Sequence, residues 1–227
     1  MKEKPASQIK NHESRKNLFP AFLKLENRSC LIVGGGKVAL RKAESLMQCG
    51  AMIKLVSPTA QDAVKRLASE GFLNWIDKKF TEDDLDGVFI VFAATDDSRE
   101  NKRVVDVCRG KGVLVNAVDA PELCDFFVPS VVRRKSLAIA ISTQGKSPVF
   151  SRRLRKELEQ IITDEYGEFV DILGRQRERV KQAVPDILRR RKIFEALAYS
   201  DILNLLKAGK RAEVKERIEE CISSLPD

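Results

Sequence analysis

Residues 30–39 read Cys-Leu-Ile-Val-Gly-Gly-Gly-Lys-Val-Ala, a short apolar run followed by three glycines and the start of a helical pattern. Gly34, Gly36 and Ala39 match the G-x-G-x-x-G/A spacing that is typical of dinucleotide-binding turns. Gly34 permits a tight turn, Gly36 lets backbone N–H groups approach a pyrophosphate, and Ala39 lets the helix pack close to the strand. Because a strand pattern precedes the glycines and an amphipathic pattern follows them, we predict a dinucleotide site rather than an ordinary glycine turn.

The chain around this turn alternates between strand-like and helix-like patterns as far as residue 120. Apolar strand patterns cover residues 30–33, 52–56, 72–76, 88–94 and 113–118. Helical patterns cover residues 37–49, 60–70 and 98–109. Strands that alternate with helices predict a parallel sheet with helices on both faces. We therefore expect an α/β fold with a Rossmann-like, doubly wound parallel sheet.

The pattern changes after residue 120. Strand patterns at 126–129 and 137–142 are joined by a basic stretch at 133–135, and Ser147-Pro148 is typical of a helix start. From residue 169 to residue 223 the pattern is helical, with breaks near Pro185 and Gly209.

We expect four parts in the chain: a disordered tail at 1–18, a dinucleotide-binding domain at 19–120, a small α/β segment at 121–166 and an all-helical region at 167–227. Two strands and one helix make a poor core, because an isolated hairpin is marginally stable in water. Pairing with a second copy would complete that core, so we expect residues 121–166 to form a homodimer.

The amino-acid composition limits the kinds of binding partner that we expect for the protein. The chain has 227 residues, a formal net charge of +8 and a sequence pI near 9.3, which favours acidic partners. Aromatic residues make up 6% of the chain and are not interleaved with the basic runs, so we expect no nucleic acid. No apolar run is long enough to cross a bilayer and no apolar signal segment begins the chain, so we expect a cytoplasmic protein without membrane contact. The cysteines are scattered, which favours reduced thiols over a zinc site.

The single histidine, His12, lies in the predicted tail. Acid–base chemistry in the folded part must therefore fall to carboxylates, lysines, tyrosines or hydroxyls. Ligands of a doubly wound sheet bind beyond the carboxyl ends of its strands, so we expect the binding and catalytic side chains to lie there.

Two strand ends carry such groups. Ala94, Thr95 and Asp96 follow the fourth strand, where they offer space and hydrogen bonds to a ribose or nicotinamide, although the same stretch also suits a helix N-cap. Asp119 follows the fifth strand. It is either a carboxylate beside the reactive ring of a cofactor or a turn-forming residue before an Ala-Pro pair.

The residues at the end of the second strand bear on the preference for NAD or NADP. An Asp or Glu normally binds the adenosine ribose at this point, but here Ser57 takes its place. No arginine stands beside Ser57 to bind a 2′-phosphate, so we favour NAD over NADP.

Two basic runs, at 133–135 and 152–156, flank a glycine-containing loop at 142–147 that precedes a helix. A solvated charged face is one interpretation of these runs. An anion-binding site at the helix N-terminus is the other.

Six stretches together resemble the precorrin-2 dehydrogenase family, the sirohaem-synthase module that also occurs fused to a uroporphyrinogen methyltransferase. They are residues 19–23 (Phe-Pro-Ala-Phe-Leu), 33–39, 93–97, 115–119, 129–130 and 142–148. The resemblance implies NAD-dependent oxidation of precorrin-2 to sirohydrochlorin, Fe²⁺ insertion in some members, and an intertwined homodimer. Precorrin-2 is a polycarboxylate, which would account for the basic runs. Methylation would come from a separate uroporphyrinogen methyltransferase.

The resemblance also implies roles for single residues. The family aspartate that matches Asp119 is the residue most tied to activity, so we take Asp119 as the base that accepts the proton released on oxidation. It would also accept pyrrole protons if a metal is inserted, and no other metal ligand is visible. The loop serine that is a phosphorylation position in the fused enzyme aligns with Thr143, which Ser142 precedes.

The candidate residues divide into two further sets. Those expected to bind NAD are Gly34, Gly35, Gly36, Lys37, Val38, Ser57, Ala94, Thr95 and Asp96. Those expected to bind the substrate are Asn116, Ser142, Thr143, Gly145, Lys146 and Arg152. Two other functions stay open: a dinucleotide-sensing regulatory module, and a chelatase-only protein with a degenerate cofactor site. The intact glycine turn counts against the second of these.

Overall fold

A five-stranded parallel sheet in the order β3-β2-β1-β4-β5 forms the first part of the computed structural model, which describes residues 17–223. Its strands are β1 Ser29–Val33, β2 Met52–Val56, β3 Asn74–Ile76, β4 Ile90–Ala93 and β5 Leu114–Ala117. Helices α1 Lys37–Met47, α2 Asp62–Ser69 and α3 Ser98–Gly110 connect the strands, and a 3-10 turn, Glu82–Leu85, precedes β4. The strand order reverses between β1 and β4, as in a Rossmann fold, so the predicted fold class is confirmed.

Both faces of the sheet are covered, and apolar side chains fill positions 30–33 of β1 and all of β4. In the β1–β4 ladder, Leu31 pairs with Val91 and packs towards α3, while Ile32 pairs with Phe92 and packs towards α1 and α2. Burial of such side chains contributes roughly 1.5–3 kcal/mol each. This two-sided burial explains why the strands read as unbroken apolar runs rather than as alternating patterns.

The chain divides into two units, of which the first ends at Val128 and the second begins at Pro129. The sequence predicts a boundary at residue 120 instead. Residues 121–128 remain with the first unit because Asp125 pairs with β5: its carboxylate accepts the Val115 N–H at 3.0 Å, and its own N–H donates to the Val115 carbonyl at 2.9 Å. Residues 1–16, which include His12 and most of the predicted tail, lie outside the described residues.

The second unit begins with an antiparallel hairpin, β6 Ser130–Arg134 and β7 Leu137–Ile141. The predicted strand at 126–129 is wrong, and Arg133 and Arg134, predicted as part of the link between strands, lie within β6. The reason is a tertiary contact: the Phe126 ring packs edge-to-face on Phe92 at 5.4 Å between centroids, which holds this segment against the first sheet. The hairpin turns instead at Lys135, whose φ is 48°.

Helices complete the second unit: α4 Pro148–Ile161, α5 Asp164–Ala183, α6 Ile187–Ala198, α7 Ile202–Lys207 and α8 Arg211–Ser223. The predicted start of α4 is confirmed, since the Ser147 hydroxyl accepts the Phe150 N–H at 3.2 Å and Pro148 follows the cap. Gly209 lies between α7 and α8 with φ of 73°. The helices bury a common apolar core that includes Ile193 and Leu197.

A buried carboxylate joins the loop after β3 to β2 in the first unit. One Asp84 oxygen lies 2.8 Å from Lys54 Nζ and 3.0 Å from Lys78 Nζ, and the other accepts the Thr81 N–H at 2.9 Å. Burial alone would raise the pKa of Asp84, but the hydrogen bonds from Lys54, Thr81 and Lys78 outweigh it and lower the pKa to about 2.

We expect the Asp84→Asn variant to lose about 2 kcal/mol of unfolding free energy at pH 7, because the carboxyl pKa falls from 3.8 to about 2 on folding. A depressed folded pKa stabilises above pH ~4, and this contribution is lost as the pH falls towards ~2. Urea unfolding followed by the fluorescence of Trp75, the one tryptophan, measures the difference at pH 7 and pH 3. The exposed neighbour gives the control, Asp83→Asn. Equal stability of wild type and Asp84→Asn at pH 7 would contradict the account.

Candidate dinucleotide-binding site

The three glycines between β1 and α1 differ in what a side chain at each position would contact. Gly34 has φ of 120°, and a Cβ there would lie 2.3 Å from the carbonyl oxygen of Ala94. A Cβ on Gly35 would lie 2.1 Å from the carbonyl oxygen of Thr59. At Gly36, the N-cap of α1, no described atom lies within 4 Å of an added Cβ. Gly34 and Gly35 are therefore required by backbone packing, whereas Gly36 leaves the helix N-terminus open to a ligand.

A cleft in two parts lies at the carboxyl ends of the strands. The β2-side part has a volume of about 660 Å³ and is bordered by Ser57, Thr59 and Lys79. The β5-side part has a volume of about 830 Å³ and is bordered by Val38 and Asp119. Both parts are lined by Gly36, Gln61, Ala94, Thr95 and Asp96. A dinucleotide whose pyrophosphate meets the α1 N-terminus can thus place one nucleoside in each part.

Thr95 at the end of β4 is held by a buried amide that the sequence patterns do not reveal. Asn101 Oδ1 accepts the Thr95 N–H at 3.1 Å and lies 2.8 Å from its hydroxyl, and Asn101 Nδ2 donates to the Thr95 carbonyl at 3.0 Å. Thr95 is therefore positioned by α3 before any ligand binds. The signal that points to Asn101 is its polar side chain at an inward-facing helix position, where it is only 6% exposed.

The stretch after β4 also provides the N-cap of α3, which is the second role that the sequence analysis considers for it. The Asp97 carboxylate accepts the N–H groups of Arg99 and Glu100 at 2.9 and 3.4 Å. Asp96, one residue earlier, is exposed and lines both parts of the cleft. Asp97 thus caps the helix and also lines the β2-side part, whereas Asp96 lines both parts of the cleft.

Asp119 lies in a turn two residues beyond the end of β5. Its φ is 58°, in the left-handed region that Asp tolerates better than most residues. The residue is exposed and lines the β5-side part of the cleft. Its carboxylate forms no hydrogen bond and no ion pair with any residue of the range 17–223. Asp119 is therefore both a turn residue and an uncommitted carboxylate in the cleft.

Asn116 does not contribute to this cleft, although it is predicted to bind substrate. Its Nδ2 donates to the carbonyl of Phe126 at 2.9 Å and lies 3.4 Å from Cys124 Sγ, and the residue is 8% exposed. Side chains alternate along a strand, so Asn116 shares the face of its ladder partner Phe92 beneath Phe126. Its amide holds the chain that follows Asp119.

The β2-side part contains no acidic residue at the end of β2. Ser57 is buried, and its carbonyl accepts the Trp75 Nε1–H at 3.0 Å. Lys79 lines this part together with three carboxylates, those of Asp96, Asp97 and Glu100, of which Glu100 is paired with Arg103. The formal charge of the lining is therefore negative.

The second unit carries the predicted anion loop, whose hydroxyls already organise it. Ser142 Oγ accepts the Gln144 N–H at 3.1 Å, and Thr143 Oγ1 accepts the Ser147 N–H at 3.1 Å. Gly145 has φ of 78°, which favours glycine at the loop tip. Both hydroxyls keep a proton that they can donate to a ligand.

The basic run on α4 divides into paired and unpaired cations. Arg153 pairs with Glu157 at 2.7 Å, and Arg155 pairs with Glu159. Arg152 is exposed and forms no ion pair within the described part of the chain. Lys146 in the loop is exposed as well. The loop and helix therefore offer fewer cations to an anion than the sequence suggests.

Between residues 17 and 223, no group of three or more histidine, cysteine and acidic side chains is placed to hold a metal ion. None of the helices described is long and apolar enough to cross a membrane.

Comparison with known proteins gives three consecutive family matches. An NAD(P)-binding family model matches residues 21–130, the sirohaem biosynthesis protein central region matches 134–161, and the sirohaem synthase dimerisation region matches 165–222. Apart from two shared residues, the matched dimerisation region lies C-terminal to 121–166, the segment that the sequence analysis assigns to dimerisation.

Individual relatives agree with these matches. The siroheme synthase of Nitrosococcus oceani is 36% identical over 204 residues, which are 90% of this chain and 44% of that protein. The siroheme synthase of Methylococcus capsulatus is 39% identical over 88% of this chain and 42% of that protein. The chain thus spans less than half the length of these relatives.

Among solved structures, the protein named SirC, precorrin-2 dehydrogenase, is 28% identical with a TM-score of 0.75, over 89% of this chain and 100% of that one. The glycine turn, the Asp119 turn and the three consecutive family matches together show that the chain belongs to the family of sirohaem synthase N-terminal modules and precorrin-2 dehydrogenases.

Proposed function

We propose that the chain oxidises precorrin-2 to sirohydrochlorin, with NAD as the hydride acceptor. The observation that carries the proposal is the uncommitted Asp119 carboxylate in the same cleft as an open helix N-terminus. The similarity to SirC, which is named a precorrin-2 dehydrogenase and is matched along its whole length, supports the same reaction.

The residues around the glycine turn fit a dinucleotide. A side chain at Gly36 would project into free space, so the turn leaves a cradle for a pyrophosphate, whose charge the α1 N-terminus and the exposed Lys37 would attract. Val38 would offer its backbone N–H in the first turn of α1. Gly34 and Gly35 shape the turn, while Ala94, Thr95 and Asp96 would form the wall between the two nucleosides. When bound, NAD supplies the hydride-accepting ring.

We favour NAD over NADP because of the charge in the β2-side part. Three carboxylates and one lysine line it, so a 2′-phosphate would meet a negative field. Ser57 and Thr59 are neutral and would contact the ribose without forming an ion pair.

The reaction removes a hydride and a proton from precorrin-2, so it needs one proton acceptor. Bound NAD would supply the hydride acceptor, while Asp119 would accept the proton and then release it to solvent. Asp119 suits this role because no donor among residues 17–223 binds its oxygens and because it is exposed and lines the cleft. A positioned base of this kind typically contributes 10²–10⁴-fold to the rate.

The second unit would supply the remaining substrate contacts and the dimer interface. We propose that Ser142, Thr143, Gly145, Lys146 and Arg152 contact the carboxylates of precorrin-2, since their hydroxyls and cations are available. We also propose a homodimer formed through this unit; its α4, which lies before the matched dimerisation region, exposes Val149 and Phe150 by 68% and 52%. The match to the sirohaem synthase dimerisation region supports it.

Three finer statements belong to the same proposal. A cytoplasmic location is supported by the five cysteines, all of them free, of which burial raises the pKa of Cys30 and Cys108 to about 11. A separate uroporphyrinogen methyltransferase would supply the substrate. Insertion of Fe²⁺ into the product would again use Asp119 as proton acceptor, with the metal held by the tetrapyrrole as a substrate.

We expect Asp119→Asn to lower kcat for precorrin-2 oxidation by at least about 100-fold while the NAD dissociation constant changes by less than about twofold. The amide keeps the size and turn preference of the residue but cannot accept the proton. Anaerobic absorbance at saturating NAD gives the rate, and calorimetry gives the affinity. Glu122→Gln, which neutralises another carboxylate of the same cleft, is the matched control for kcat. A wild-type rate for Asp119→Asn would refute its role as the base.

We expect Gly36→Asp to raise the NAD dissociation constant by more than about 100-fold, because a carboxylate would occupy the space and oppose the charge of the pyrophosphate. The variant should fold, since an added Cβ meets no described atom within 4 Å. Gly110→Asp makes the same change at another open glycine, outside the cleft, and should bind NAD normally. Calorimetric titration checks both, and wild type titrated with NADP should bind more weakly than with NAD. Unchanged NAD affinity in Gly36→Asp would overturn the phosphate-binding turn.

A further inference from the structure

Two cations at the start of α3 line the β5-side part of the cleft and have no role in the scheme above. Arg99 and Lys102 are three positions apart, so they lie on one face of the helix. Both are exposed, and both border the same space as Asp119. Neither lines the β2-side part.

The other arginines of α3 show what is unusual about this pair. Arg103 is bound to both carboxylate oxygens of Glu100, at 2.8 and 2.7 Å, and also donates to the Phe80 carbonyl at 2.6 Å. Arg109 lies 3.8 Å from the Asp125 carboxylate. Arg99 and Lys102, in contrast, form no ion pair with any residue that the structure describes.

The carboxylates that share this part of the cleft are not ion-paired with Arg99 or Lys102. They are those of Asp96, Asp119 and Glu122. Arg99, Lys102 and the Asp119 carboxylate, which has no partner among the described residues, thus line the same part of the cleft. Such an arrangement is suited to a ligand that brings its own negative charge and a proton to be removed.

The spacing of the cations indicates the number of groups that they can bind. Helix positions three apart bring Cβ atoms to roughly 5–6 Å, so two long side chains can reach neighbouring carboxylates of one molecule. The Arg99 guanidinium can bind a carboxylate through two parallel hydrogen bonds, whereas the Lys102 ammonium acts as a compact charge. A macrocycle with carboxylates on adjacent side chains fits this pair.

We propose that Arg99 and Lys102 form a substrate subsite that binds peripheral carboxylates of the tetrapyrrole and turns its reacting carbon towards Asp119. The proposal rests on the proposed function and names two substrate-binding residues that the sequence does not single out. Because the pair lines only the part of the cleft that contains Asp119, its effect falls on substrate rather than on the adenosine half of the cofactor.

The test compares Arg99→Gln, Lys102→Gln and the double variant with wild type in three measurements. These are anaerobic kinetics with precorrin-2 at saturating NAD, equilibrium titration with sirohydrochlorin followed by absorbance, and calorimetric titration with NAD. The exposed Arg66 on α2, which lines neither part of the cleft, gives the matched control, Arg66→Gln. Thermal unfolding followed by Trp75 fluorescence checks that each variant is folded.

We expect each single variant to raise the KM for precorrin-2 and the dissociation constant of sirohydrochlorin by about tenfold, with a larger effect in the double variant. The NAD dissociation constant should change by less than about twofold. Raising the ionic strength should weaken substrate binding by wild type more than by the double variant. Salt screens ion pairs, and the double variant lacks the two that Arg99 and Lys102 would form with the substrate. Arg66→Gln should behave as wild type.

Three results would overturn the subsite. One is a folded double variant with the KM and product affinity of wild type, which would leave the proposed function standing. Another is an equal loss of NAD and tetrapyrrole affinity, which would assign the cations to the cofactor. The third is an equal effect of Arg66→Gln, which would indicate a non-specific charge effect. If wild type fails to oxidise precorrin-2, the proposed function fails, and the sirohydrochlorin titration still decides whether Arg99 and Lys102 bind the macrocycle.

Discussion

The approach of the Gly34 backbone to the Ala94 carbonyl is the contact on which the functional unit depends. A Cβ at Gly34 would lie 2.3 Å from that oxygen, so the loops after β1 and β4 can meet only because a glycine stands there. Asn101 holds the next peptide, at Thr95, from the opposite side through its amide. The two loops therefore form a fixed wall between the halves of the cleft, and the open N-terminus at Gly36 lies beside it.

Charge is distributed over this frame in a way that suits hydride transfer from a polyanion. Carboxylates predominate in the β2-side part, the α1 N-terminus presents positive charge at the junction, and the β5-side part combines Asp119 with the cations of α3. The Asp119 carboxylate lines this part without a partner among residues 17–223, which is why we propose it as the proton acceptor. Each half of the cleft thus has an electrostatic character that matches a different part of the chemistry.

Local patterns predict much of the fold and of the cofactor site. The glycine turn and the helix start at Ser147 are both recognisable from short local motifs, and the structure forms both, although the close approach of Ala94 and Thr59 to the glycines appears only in the fold. Tertiary contacts account for what the sequence could not predict. The packing of Phe126 on Phe92 prevents a strand at 126–129, and the position of Asn116 on the covered face of β5 removes its amide from the cleft. The hydrogen bonds between Asn101 and Thr95 depend on how α3 packs against the end of β4, and the sequence pattern does not specify that packing.

The most direct test of the central claim is anaerobic incubation of the chain with precorrin-2 and NAD, followed by absorbance. The account predicts that sirohydrochlorin and NADH appear in equal amounts, and that neither appears when NAD is omitted. Addition of Fe²⁺ or Co²⁺ to the same cuvette would then show whether metal insertion follows. Tight binding of NAD without any oxidation of precorrin-2 would contradict the account and favour a dinucleotide-sensing module instead.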